Sequence, residues 1–126
     1  MRAVICEKWG GPGDLKVADV APPVLADGAV RIRVMAAGVN FADTLMIAGH
    51  YQTKPPFPFS PGLEVAGEVT ECAPGVARTR VGDRVLAFTG YGGFAEEAVT
   101  AEANVYPIPD AMDFVTAAAF PVVYFT

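Results

Sequence analysis

Three observations predict a mainly β domain with a few short helices. Thirteen Gly and eleven Pro are spread along all 126 residues, and turn formers at that density divide a chain into short segments rather than long helices. Period-two alternation is clearest at Val30, Ile32 and Val34, with Arg31 and Arg33 between them, as on a strand with one buried and one wet face. Pro55, Pro56, Pro58 and Pro61 crowd the stretch from Lys54 to Pro61, removing four amide donors and excluding helix or central strand.

In chain order, Ala3–Trp9 is β-prone and ends at the turn Gly10-Gly11-Pro12-Gly13; Leu15, Val17 and Val20 resume alternation, which predicts a hairpin. Asp27-Gly28 turns the chain into the strand around Val30–Val34. Asn40 then precedes Phe41–Ala48, and Gly49 follows. That order predicts a short helix: Asn40 can accept a hydrogen bond from a first-turn N–H, Asp43 favours the positive helix end, and Gly49 suits the left-handed position after the C-cap. The proline stretch is expected as an ordered loop over the surface. Val65–Cys72 reads as a strand in which Gly67 marks a bulge or the close approach of another backbone. Val81–Phe88 reads as turn then strand, Gly90–Gly93 as a turn before a strand over Phe94–Val99, and Asp113 as the start of a helix through Ala119. Pro121 is well placed to open one more helix.

The net charge of −5 gives nucleic-acid phosphates no electrostatic footprint, so nucleic-acid binding is set aside. A chain of 126 residues counts as one domain and buries roughly two thirds of its unfolded surface, so it needs no metal or disulfide staple. The apolar fraction of 52% is high, and so is the mean hydropathy of +0.35. Yet the run Val115–Phe125 is broken by Thr116 and Pro121 and falls short of the ~18 residues of a membrane span. No membrane role is expected, and the opening Met1–Cys6, soon followed by Glu7 and Lys8, suits a first strand better than a signal peptide. Cytoplasmic location is therefore the default expectation. The apolar end of the chain, Phe120–Thr126, points to the front part of a longer protein.

Candidate chemistry is sparse. Cys6 and Cys72 are isolated thiols without Cys-x-x-Cys spacing, and His50 is the only imidazole, so no structural zinc set is present and buried, reduced cysteines are expected. His50 stands just after a helix end, where a solvated cation is simply welcome. The glycines at 10, 11 and 13 lead into a strand rather than a helix, which favours a turn over a phosphate loop. No Ser or Cys has a base partner in the pattern. Asn40 and Asp43 read as a helix cap, a role compatible with a chemical one. Tyr106, between Val105 and Pro107, looks like packing; Tyr51, at the mouth of the proline loop, either fills the core or offers a phenol to a substrate oxygen.

Five stretches together resemble the medium-chain dehydrogenase/reductase superfamily, and within it the zinc-independent, zeta-crystallin-like quinone oxidoreductases. They are Gly38-Val39-Asn40-Phe41-Ala42-Asp43, Pro61-Gly62-Leu63-Glu64-Val65-Ala66-Gly67, Val81-Gly82-Asp83-Arg84-Val85, Gly93-Phe94-Ala95-Glu96-Glu97 and Ala117–Thr126. The resemblance implies a GroES-like, partly open β-barrel that ends, over residues 1–126, at the start of the helix linking it to a Rossmann domain not included in the chain. It departs from the zinc-dependent branch, whose Cys and His ligand positions hold Asn40 and Leu63 here. Neither side chain supplies a thiolate or imidazole, and no metal site is expected. Glu64 remains, with the role of a salt bridge or strand-end cap.

By that resemblance the expected function is the substrate side of an NADPH-dependent reductase of a quinone or other conjugated carbonyl, working without zinc. Asn40 and Tyr51 would be the catalytic residues, Asn40 and Thr126 would contact the cofactor, and Asp43 would support Asn40 from behind. A homodimer is implied for the full-length enzyme, with NADPH held mainly by the other domain and this chain alone inactive. Two alternatives stay open: a stand-alone GroES-like binding or assembly module, and an enoyl-reductase domain excised from a larger synthase.

Overall fold

The computed structural model describes residues 1–125; Thr126, an expected cofactor contact, lies outside them. The expected hairpin forms from β1 (Arg2–Ile5) and β2 (Lys16–Asp19), antiparallel with Arg2 opposite Asp19. Its first strand stops short of Trp9. Cys6 turns away to bridge Phe59, donating its N–H to the Phe59 carbonyl at 2.8 Å and accepting the Phe59 N–H at 3.1 Å.

The main sheet has five antiparallel strands in the order β6-β3-β4-β5-β7, from β3 (Ala29–Gly38), β4 (Glu64–Cys72), β5 (Arg84–Phe88), β6 (Glu97–Ala101) and β7 (Val105–Pro107). It joins the hairpin through Ala3 opposite Ala95. The sheets remain open rather than closing into a barrel, in keeping with a partly open GroES-like architecture. β6 begins at Glu97, later than expected, because Phe94 and Ala95 are taken up by the hairpin: Val4 N–H donates to the Phe94 carbonyl at 2.8 Å. β7 was not anticipated from the sequence.

Both faces of β4 and β5 are covered, which is why their buried residues run continuously instead of alternating. Val30, Ile32, Val65, Val69, Val85 and Val105 form one cluster. Ala66 and Leu86, which alternate with them, pack with Ile108 and with Ala117 and Ala118 of α2 (Phe114–Ala118). As expected, Asp113 opens α2 by accepting the Thr116 N–H at 2.7 Å. Gly67 fulfils its expected role, since it pairs with Val34 beside a register shift and a Cβ there would collide with the Arg33 carbonyl oxygen.

The proline stretch forms the expected irregular loop, with Lys54, Pro56, Phe57 and Pro58 exposed, while Pro55, Phe59 and Pro61 are buried. It seals a second cluster of Cys6, Met46, Ile47, Phe59 and Leu63 under α1 (Phe41–Ile47). Gly49 has φ +78° and its α-carbon faces Trp9, where a Cβ would meet the indole at 2.9 Å. The last described element, α3 (Pro121–Phe125), opens at Pro121 as predicted. Among the described residues no helix is long and apolar enough to cross a membrane.

Candidate active site

The ends of three strands converge at the start of α1. Glu64, the first residue of β4, lies opposite Gly38 at the end of β3 and Phe88 at the end of β5. The chain leaves β3 at Gly38 and enters α1 just beyond Asn40, which sets Asn40 at the rim of this junction.

Only the Asp43 half of a capping box is made: the Asn40 N–H donates to Asp43 Oδ2 at 2.8 Å, while the Asp43 N–H donates to the Asn40 backbone carbonyl at 3.0 Å and the Asn40 side chain does not accept from the first turn as expected. Asp43 is 4% exposed, and its Oδ1 accepts the Gly62 N–H at 3.2 Å. One buried carboxylate thus joins the helix start to the Pro61–Glu64 turn. Burial pushes its pKa above the usual carboxylate value; the Asn40 and Gly62 N–H groups pull it back, and the nearby Glu64 charge adds to the rise. Gly62 has φ +107°, and a Cβ there would meet the Phe94 nitrogen at 2.7 Å, so only glycine fits the turn.

Glu64 is 2% exposed and enters no ion pair among the described residues, so the salt-bridge half of its expected role is not made. Rather than capping a strand end, it links the starts of two helices. Its Oε1 accepts from Asn40 Nδ2 at 2.9 Å, and its Oε2 accepts the Val122 N–H in the first turn of α3 at 2.8 Å. Hydrogen bonds of this kind, to a desolvated carboxylate, are the strong ones.

Asn40 itself is half-buried. It sits between Val39 and Phe41, which are 80% and 77% exposed, so a polar amide stands in an apolar rim. Tyr51 lies beyond the other end of α1, and the seven-residue helix alone separates the two ends by about 10 Å. Its ring packs on the Met46 and Ile47 cluster, to which Ala42, Phe88 and Val122 also contribute. The structure therefore sets Tyr51 on the cluster beneath α1 and Asn40 at the opposite end of that helix, without bringing the two together. The Tyr51 hydroxyl has no hydrogen-bond partner among the described residues. His50 is exposed and stands apart from this junction. Cys6 and Cys72 are unbridged thiols, buried and half-buried, and burial raises the pKa of both, which leaves them poor nucleophiles. Tyr106, expected as packing, is 42% exposed, with its ring tilted at 55° to that of Phe125 at a centroid distance of 5.0 Å.

A cavity of about 780 Å³ opens elsewhere, between the hairpin, the proline loop and β6, with Ile5, Val20, Phe59, Tyr91 and Ala98 in its wall. Neither Asn40, Asp43 nor Tyr51 lines it. Polar convergence, rather than volume, marks the candidate site. A pocket of about 280 Å³ lined by Phe88, Pro121, Val122 and Phe125 lies next to Glu64's partners. Glu64 is the site member whose role the sequence left undecided; its signal was a lone acid set between the apolar Leu63 and Val65.

Comparison with known proteins gives a match over residues 26–110 to the family described as the alcohol dehydrogenase GroES-like domain. The quinone oxidoreductase of Rattus norvegicus is 41% identical over 128 residues, covering 100% of this chain and 39% of that protein. The structure of the human synaptic vesicle membrane protein VAT-1 homolog-like protein superposes with a TM-score of 0.91 at 41% identity, covering 96% of this chain and 39% of that one. The quinone oxidoreductase of Thermus thermophilus, solved also in complex with NADPH, gives 0.83 at 37% identity, with coverages of 100% and 38%. The chain thus spans about two fifths of the length of these relatives.

Proposed function

Since the chain belongs to the alcohol dehydrogenase GroES-like domain family of oxidoreductases, we propose that it forms the N-terminal, substrate-facing domain of an NADPH-dependent enzyme that reduces a quinone or other conjugated carbonyl without zinc. The observation that carries this reading is Asn40: a half-buried amide, anchored from behind by Glu64, in a rim of exposed apolar side chains. Likeness to the rat and Thermus thermophilus quinone oxidoreductases supports the substrate class, and the NADPH complex of the latter supports the cofactor.

The donor set supports chemistry without zinc. Asn40 and Leu63 offer neither thiolate nor imidazole, and no three His, Cys, Asp or Glu residues gather among the described residues. An amide flanked by Val39 and Phe41 fits the nicotinamide end of NADPH, a flat ring bearing one carboxamide. In this reading Asn40 and Thr126 hold that end. When bound, NADPH supplies the hydride. Asn40 spends one N–H on Glu64 and keeps its other N–H and its Oδ1 to orient what lies against it. Tyr51 offers its hydroxyl to the substrate oxygen as that atom gains negative charge. Val39 and Phe41 keep water from the reacting face, and Asp43 fixes the Asn40 backbone. The whole enzyme is read as a cytoplasmic homodimer, and the 126-residue chain by itself as inactive, because most cofactor contacts belong to a second domain.

The test is NADPH oxidation by the full-length protein carrying this chain, with 1,4-benzoquinone and with an alkenal as acceptors. Turnover of either supports the assignment. A folded protein that turns over neither removes it.

A further inference from the structure

Glu64 has an arrangement that strand capping alone does not require. An amide side chain has two ends of nearly the same shape, and only its hydrogen-bond partner decides which points where. Against Asn40 that partner is a buried carboxylate, which accepts and does not donate. Oε1 takes Asn40 Nδ2 at 2.9 Å and Oε2 takes the Val122 N–H at 2.8 Å, so both oxygens act as acceptors. The Asn40 amide is therefore held with its nitrogen toward the protein and its oxygen left for the rim. Gly38 makes room for this contact: a Cβ at that position would coincide with the Glu64 carboxylate.

We propose that Glu64 is a positioning residue that sets the polarity of the Asn40 amide at the reacting face and ties it to the first turn of α3. The proposal rests on the reading of Asn40 as a contact of cofactor and substrate. It makes a specific claim about Glu64→Gln. Glutamine is the same size, and its Oε1 can still accept the Val122 N–H, but the group left facing Asn40 is then a donor. The Asn40 amide turns over to meet it and presents its nitrogen where the oxygen had been.

The test is made in the full-length protein. Glu64→Gln is expected to lower kcat about tenfold with KM for 1,4-benzoquinone changed less than about twofold, and to have less than about a twofold effect when Asn40 is already alanine. A second readout is independent of turnover and needs no variant: in the wild-type protein labelled with nitrogen-15 at asparagine, one side-chain amide proton of Asn40 should exchange with solvent much more slowly than the other. Glu64→Gln should shift that resonance pair. Full activity of Glu64→Gln alongside an impaired Asn40→Ala overturns the positioning role and leaves the reading of Asn40 standing. An equal loss in both backgrounds overturns it too, since Glu64 would then act through the fold, and so does fast exchange of both Asn40 amide protons. An unimpaired Asn40→Ala removes the parent reading and this one with it.

Discussion

At the scale of single residues, the site is held by two buried carboxylates without cations. Asp43 satisfies two backbone N–H groups, those of Asn40 and Gly62, so Asp43→Ala orphans both and should cost about 3 kcal/mol in urea unfolding. Its raised pKa fixes the sign of a pH effect. The folded chain keeps this proton above the ordinary aspartate value of 3.8, where the unfolded chain has lost it. Stability from Asp43 is thus full below 3.8 and declines as pH rises through the shifted value. Gly67→Ala should destabilise by about 2–3 kcal/mol because its methyl meets the Arg33 backbone, which cannot move without breaking the β3–β4 ladder. Gly11→Ala, with open space around it, should change stability by less than about 0.5 kcal/mol. Asp43 and Gly67 were readable in the sequence because each obeys a local rule, helix capping or backbone approach; Asn40 was readable as the residue at the N-cap, but its side chain goes to Glu64 instead of the first turn. The role of Glu64 was not, because its partners Asn40 and Val122 lie 24 and 58 residues away and no local pattern encodes such pairs.

At the scale of elements, the loop Ala77–Thr79 is clasped to the turn after β6 by the Glu102 carboxylate, with Arg78 donating back to the Glu102 and Val105 carbonyls. Glu102 accepts the N–H groups of Ala77, Arg78 and Thr79 at 2.9, 2.9 and 2.7 Å, and these bonds hold its pKa down to about 2 from 4.5. A depressed acid contributes stability that is present above pH 4.5 and is lost as pH falls from there toward 2. Glu102→Gln should therefore flatten the acid limb of a thermal-stability profile between those values; an unchanged limb would show that the clasp does not form in solution. The elements themselves were mostly legible. β3, β4, α1, α2 and α3 follow from alternation and caps, since their signals are contained within each segment. The proline loop was legible as an irregular surface segment, but its inward anchors Pro55, Phe59 and Pro61 were not, because the absence of amide donors says what a segment cannot be, not which of its side chains pack. Phe59 and Cys6 fix that packing through a long-range bridge, and the same bridge shortens β1.

For the molecule as a whole, part of the exposed apolar surface flanks the candidate site. Val39 and Phe41 at the start of α1, and Val123 and Tyr124 on α3, are 80%, 77%, 66% and 66% exposed, and Glu64 joins the starts of both helices. Other exposed apolar side chains, Val24, Val81 and Val115 among them, stand elsewhere in the fold, and among the described residues no helix is long and apolar enough to cross a membrane. Family and fold were legible because five motifs keep their order through the chain. The residues of the candidate site were legible only one by one, since their partners meet in three dimensions. The central claim is that chemistry happens at Asn40, and the most direct measurement is kcat/KM for 1,4-benzoquinone with NADPH, comparing the full-length protein with its Asn40→Ala variant. A loss of about tenfold or more in a variant that keeps the wild-type fold is the predicted result. Equal values for the two proteins would leave Asn40 as a helix cap and contradict the account.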